Sequence, residues 1–218
     1  MKHRVIIFDL DGTLLNTIGD LAAACEDMLR KRNLPQHTLA EYTSFVGNGI
    51  RNLVKRSLPE QLRTDDYVEQ AKADFVEYYT HNIHNNTAPY EGITELLAEL
   101  QSAGVKIAVA SNKFHEGTLQ LINYFFPNIE FIAVYGNREG YPLKPDAQLI
   151  EEIMRIGGVT NSECVMVGDS AVDIQTAHNA GIDSIAVSWG FRLMEELEQA
   201  NPTHIVGSVK ELRELLLG

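Results

Sequence analysis

Four short polar clusters interrupt the apolar runs of this 218-residue chain: Asp9-Leu10-Asp11-Gly12-Thr13, Ser111-Asn112-Lys113, Lys144-Pro145-Asp146 and Gly168-Asp169-Ser170-Ala171-Val172-Asp173. Two carboxylates flanking Leu10 directly after an apolar run serve no packing purpose. If Asp9, Asp11, Asp169 and Asp173 share one crevice, they cannot all stay ionised unless a cation joins them. Hard oxygen donors with no His or Cys beside them select Mg²⁺ rather than zinc or copper. The Ser111 hydroxyl, the Lys144 ammonium and the backbone N–H groups of a turn containing Gly12 are the usual means of holding a phosphate. A metal, a phosphate site and a spare carboxylate together point to phosphoryl transfer through an aspartyl-phosphate. Singly, each residue has a plainer reading: Ser111 or Asp173 as a helix N-cap, Lys144 as a solvated surface lysine. The ordered set is what argues for chemistry.

These clusters must be carried by elements that bring them together. Val5–Phe8, Val105–Ala110, Cys164–Val167 and Ile182–Val187 are short, nearly continuous apolar runs, the mark of parallel strands covered on both faces. Phe131–Tyr135 and His204–Val206 are weaker runs of the same kind. Between them, Glu91–Gly104, Asp173–Gly181 and Val209–Leu217 have helical spacing. The alternation predicts an α/β fold, a doubly wound Rossmann-like parallel sheet whose ligand crevice lies outside the carboxyl ends of the strands. Residues 17–87 break the pattern with helical spacing and no convincing strand. They are read as a helical insertion directly after the first strand, leaving 1–16 and 88–218 as the core. Within it, Ile18, Leu21, Ala22, Cys25, Met28 and Leu29 form one apolar face, and Val68, Ala71, Phe75 and Tyr78 another; Asn85–Pro89 is the expected return linker.

Composition narrows the partners. Eighteen Lys+Arg against 30 Asp+Glu give a formal net charge of −12, which repels phosphate backbones and anionic membrane surfaces. Nucleic acid and membrane are therefore not expected as partners. The two cysteines, Cys25 and Cys164, are far apart and read as small buried hydrophobes, which fits a reducing cytoplasm. The apolar run at Val5–Phe8 is too short for a signal peptide.

The strings FDLDGTLLNT, VASN, KPD and VGDSAVDIQTAHNAG stand in the order and spacing of the haloacid dehalogenase-like hydrolase superfamily, and the chain resembles its phosphatase branch. VGNGIRNLV, SNK and VSWGF are similar to the corresponding strings of phosphoglycolate phosphatase-like members. The resemblance implies Asp9 as nucleophile and Asp11 as the acid that protonates the leaving alkoxide and then the base that activates water. It implies Mg²⁺ held by Asp9, Asp169 and the backbone carbonyl of Asp11. Ser111 and Lys144 would bind the phosphoryl oxygens, with Asn112 helping through its backbone, and Asp173 and Ser170 would support them from behind. The chain departs from the family pattern at Asn16, where Asp is usual, and at Ala147, where a second Pro is usual; neither position is implied in the chemistry.

The same resemblance makes the helical insertion a cap that admits one water and excludes bulk solvent. Asn48, Gly49 and Arg51 are its expected substrate-selecting residues, Arg51 receiving the carboxylate of a small acid phosphate such as phosphoglycolate. The expected partner is a small phosphorylated metabolite, and the expected assembly a monomer or homodimer. A pyrophosphatase, phosphosugar mutase or phosphonate hydrolase shares the core motifs, the last needing a cap lysine such as Lys55 or Lys72. A non-enzymatic, receiver-like phosphoacceptor gathers similar residues but lacks the second carboxylate that Asp11 supplies.

Overall fold

The computed structural model describes residues 2–218. In chain order the strands are β1 (Val5–Phe8), β2 (Leu15–Asn16), β3 (Ala88–Pro89), β4 (Lys106–Phe114), β5 (Phe131–Asn137), β6 (Cys164–Gly168), β7 (Asp183–Val187) and β8 (His204–Val206). The helices are α1 (Ile18–Lys31), α2 (Leu39–Phe45), α3 (Gly49–Ser57), α4 (Asp65–Asn82), α5 (Ile93–Ser102), α6 (His115–Phe125), α7 (Gln148–Gly157), α8 (Ala171–Ala180), α9 (Met194–Gln199) and α10 (Val209–Leu217). Six strands form one parallel sheet in the order β5-β4-β1-β6-β7-β8, so the chain winds outward in both directions from β1.

The apolar runs form strands because both of their faces are covered. Ile6 and Phe8 of β1, Ile107 and Val109 of β4 and Val165 and Val167 of β6 pack on one side, with α5, α6 and α10. Their alternates, Val5, Ile7, Ala108, Ala110, Cys164 and Met166, pack on the other against Leu149, Ile150 and Ile153 of α7 and Ala177 and Ala180 of α8. This two-sided burial is why the strands lack polar alternation. Both cysteines are buried and free, and burial pushes each thiol up to about 12.

Helices α1 to α4 stand between β2 and β3, and these two short strands pair antiparallel, Leu15 with Pro89 and Asn16 with Ala88. The expected return linker is thus partly a strand. The buried carboxylate of Asp20 fixes this crossing: it accepts hydrogen bonds from the Asn86 backbone N–H (2.9 Å), the Asn86 side-chain amide (2.9 Å) and the Thr87 hydroxyl (2.7 Å). On α4 the buried face is Val68, Ala71, Phe75 and Tyr79, not Tyr78. Tyr79 continues the i+4 step from Phe75, so Tyr78 is turned about 100° away from the stripe.

A candidate active site at the strand ends

Asp9 follows the last residue of β1, Asp169 the last residue of β6, and Asp173 lies in the first turn of α8. Ser111, Asn112 and Lys113, expected just beyond a strand, lie within the carboxyl end of β4, whose pairing with β5 is irregular between Ala110 and Phe114. One pocket is lined by Asp9, Asp11, Ser111, Asn112, Lys113, Lys144, Asp169, Ser170 and Asp173 from the sheet side. Leu21, Val46, Gly47, Gly49, Ile50 and Leu53 of the helical insertion face them, and Phe191 and Arg192 complete the wall.

Lys144 is the centre of the geometry. Its Nζ donates to Asp9 Oδ1 (2.7 Å), Asp173 Oδ1 (2.6 Å) and the Ala110 carbonyl (2.8 Å), which uses all three of its N–H groups. Burial by itself would push the ammonium's pKa down; the adjacent Asp173 and Asp9 outweigh that and hold it above the ordinary lysine value. The Asn112 side chain grips the backbone of the same lysine, accepting from Lys144 N (2.8 Å) and donating to Lys144 O (3.1 Å). Asp173 uses its other oxygen to accept from the Ser170 hydroxyl (2.6 Å) and backbone N–H (3.2 Å) in a capping box. The N-cap of α8 is Ser170, not Asp173 as the plainer reading had it; Asp173 sits at N3, where one oxygen completes the capping box and the other holds Lys144.

The other carboxylates are less well compensated. Burial pushes Asp9 up to about 7, opposed by Lys144 and reinforced by Asp173 and Asp11. Asp169 is pushed well above its ordinary range, again chiefly by burial and then by Asp9 and Asp173. Among the described residues Asp169 has no salt-bridge partner; its Oδ2 accepts only from the Phe191 backbone N–H (2.7 Å). Asp9, Asp169 and Asp173 each offer an oxygen, and these lie within 4.8 Å of one another. A buried all-oxygen set with surplus negative charge suits a hard divalent cation. Space here is reserved by glycine: Gly12 has φ +90°, and a Cβ on it, or on Gly190, would overlap the Asp169 carboxylate.

The insertion residues fall differently from expectation. Gly49 lines the pocket, but neither Asn48 nor Arg51 does. Ile50 and Leu53, three apart on α3, turn toward the pocket, and Arg51 is rotated about 100° from Ile50. Its guanidinium is held by Asp65 and by Glu69 (2.9 Å) on α4, outside the pocket lining. Lys55 and Lys72 also lie outside the pocket lining. Three participants had been given no role: Lys113, Tyr79 and Arg192. Lys113 Nζ donates to Asp11 Oδ1 (3.1 Å) and to the Tyr79 hydroxyl (2.6 Å). Arg192 donates to the carbonyls of Thr43 and Val46, tying the sheet side to the insertion. The strings SNK and VSWGF pointed at two of these neighbourhoods; nothing in the sequence marked Tyr79.

A doubly wound sheet with buried carboxylates, a saturated lysine and a strand-end hydroxyl in one crevice is a site of phosphate-handling hydrolases. The pattern of the haloacid dehalogenase-like hydrolases matches residues 6–187, and the chain belongs to that family as an enzyme of its phosphatase class, a phosphoric monoester hydrolase. It is 34% identical to a phosphoglycolate phosphatase of Mesorhizobium japonicum over 222 residues, covering 100% of this chain and 98% of the relative. It is 32% identical to the phosphoglycolate phosphatase of Pseudomonas savastanoi pv. phaseolicola, covering 96% and 78%. A solved structure from Lactobacillus delbrueckii subsp. bulgaricus, whose own assignment as a phosphoglycolate phosphatase is a prediction, superposes with a TM-score of 0.93 at 33% identity over 100% of both chains. A non-enzymatic receiver is thereby set aside.

Proposed function

We propose that this chain is a Mg²⁺-dependent phosphatase of small acid phosphates of the phosphoglycolate type, working through an aspartyl-phosphate on Asp9. The observation that carries this reading is the placement of Asp9: one oxygen is fixed by Lys144, the other accepts no hydrogen bond among the described residues, and Asp11 lines the same pocket two residues on. The names of the relatives supply the substrate.

In the first step the unbonded Asp9 oxygen attacks phosphorus, the ester P–O bond breaks, and Asp11 gives its proton to the leaving alkoxide. In the second, Asp11 takes a proton from water, the water oxygen bonds to phosphorus, and the Asp9–phosphorus bond breaks to release inorganic phosphate. The Ser111 hydroxyl holds a phosphoryl oxygen, Lys144, bonded to Asp9, shields the charge between that carboxylate and the phosphoryl group, and Asn112 keeps Lys144 in position by gripping its backbone. Asp9, Asp169 and the Asp11 carbonyl would hold Mg²⁺, which supplies positive charge against the phosphoryl group and the clustered carboxylates. Asp173 and Ser170 brace Lys144 and the start of α8. Residues 17–87 act as a cap whose Leu21, Ile50 and Leu53 exclude bulk water above the reacting atoms. The protein acts on a small phosphorylated metabolite in the cytoplasm, as a monomer or homodimer.

The test is phosphate release. With Mg²⁺ the protein hydrolyses phosphoglycolate in preference to pyrophosphate, sugar phosphates and nucleotides, and chelator or Asp9→Asn abolishes turnover. Activity surviving Asp9→Asn would overturn the covalent mechanism, and equal rates across the panel would overturn the substrate class.

A further inference from the structure

Lys113 is a buried cation that the reaction as described does not use. Its side chain is 2% exposed, yet the residue lines the pocket. Its Nζ reaches the two oxygens of Asp11 at 3.1 and 3.4 Å, a pair of acceptors on one carboxylate that a single N–H can serve as a bifurcated donor. A second N–H goes to the Tyr79 hydroxyl at 2.6 Å, and the ammonium also lies 4.6 Å from the centre of that ring. An ammonium has three N–H groups, so one remains. Of the other cations lining the pocket, Lys144 has spent all three donors within the sheet side, and Arg192 is anchored by two of its N–H groups to backbone carbonyls of the insertion and has no contact with Asp11.

Position gives that remaining donor a meaning. In a phosphoglycolate-type ester a single methylene separates the ester oxygen from the carboxylate carbon. Whatever protonates the ester oxygen must therefore neighbour whatever reads the carboxylate. Asp11 is the group proposed to protonate it, and Lys113 is in direct contact with Asp11. Arg51, on the far side of α3, has no such relation. We propose that Lys113 is the specificity-determining residue of this enzyme: its unspent N–H binds a carboxylate carried on the carbon next to the ester oxygen, while its other donors keep Asp11 and the cap residue Tyr79 in register. The inference rests on the phosphatase reading above and adds the residue that selects the leaving group.

Tyr79 makes the arrangement rigid. It is fully buried on α4, stacked on Phe75 at 5.4 Å and edge-on to Phe114 at 6.2 Å between ring centres. The hydroxyl that receives Lys113 is thus fixed by packing rather than by solvent, and the insertion contributes to selection without offering a charged group of its own.

The experiment compares phosphoglycolate with ethyl phosphate, which carries the same ester but no carboxylate, for the wild-type protein and for Lys113→Met and Lys113→Gln. Loss of Asp11 positioning lowers kcat/KM for both substrates alike; loss of a charged hydrogen bond to the carboxylate lowers it for phosphoglycolate by roughly a further 10- to 100-fold. The ratio of the two kcat/KM values in one preparation does not depend on how much of a variant is folded. A ratio that collapses toward unity in both variants supports the assignment. A ratio unchanged from wild type overturns it and leaves the phosphatase reading standing, whereas a wild-type protein that hydrolyses neither ester overturns both.

Discussion

Two lysines, Lys113 and Lys144, divide the anions of one pocket between them: Lys144 holds Asp9 and Asp173, and Lys113 holds Asp11. The division is a matter of stability as well as chemistry, since removing one member of a buried ion pair leaves an uncompensated charge. Lys144→Met is expected to cost about 3–5 kcal/mol in urea unfolding without added metal. An unchanged midpoint would mean that the contacts of Lys144 with Asp9 and Asp173 contribute nothing net to stability. Asp9, Asp11, Ser111 and Asp169 were legible in the sequence because they follow apolar runs, and strand ends of a parallel sheet converge, whereas Lys144, in the loop between β5 and α7, was legible only as a member of the ordered set. Lys113 was not, because its meaning depends on Tyr79, 34 residues away on another element. Arg51 was misplaced for a related reason: its basic character beside Gly49 is visible in sequence, but the acidic residues Asp65 and Glu69 that hold it come from the facing helix.

Elements were read most securely where burial is two-sided. β1, buried along its whole length, begins and ends where its apolar run does, whereas β4 continues through the polar Ser111-Asn112-Lys113 because β5 runs on beside it to Asn137. A small device of the same scale joins β1 to β6. Glu163, just before β6, accepts from the Thr160 backbone N–H (2.9 Å), the Thr160 hydroxyl (3.0 Å) and Arg4 (3.0 Å) beside β1. The Thr160 backbone bond first, then Arg4, hold its carboxyl down at about 2 against an ordinary 4.5. Because the folded pKa is lowered, the stabilisation is present above the ordinary value and is lost as pH falls from about 4.5 toward 2. Glu163→Gln should flatten the dependence of unfolding free energy on pH across that window, read by denaturant titrations at each pH; an unaltered slope would assign the acid sensitivity to other carboxylates.

For the whole molecule, a net charge of −12 suggested only what such a protein avoids. Folding concentrates Asp9, Asp11, Asp169 and Asp173 around one pocket, so part of that surplus is a local liability that a bound divalent cation would relieve. Mg²⁺ at about 100 times its Kd is expected to stabilise the fold by about 2.7 kcal/mol. In a chain of this length that is roughly 5–10 °C in Tm by thermal unfolding. Asp169→Asn should remove most of the increment; a full shift in that variant would place the cation elsewhere. No helix of the described residues is long and apolar enough to cross a membrane.

The central place of β1 has a consequence for how the protein comes into being. Its two neighbours pair Val5 with Lys106 on one side and Val5 with Cys164 on the other. The strand that leads into Asp9 precedes both of its partners in the chain, so it cannot be flanked on both edges until β6 has been made. The helices of the insertion need no such wait, since α1 and α4 meet within residues 18–82. Synthesis therefore delivers the helices of residues 17–87 before either strand that flanks β1, and the pocket around Asp9 is assembled only after β6 and α8 have been made.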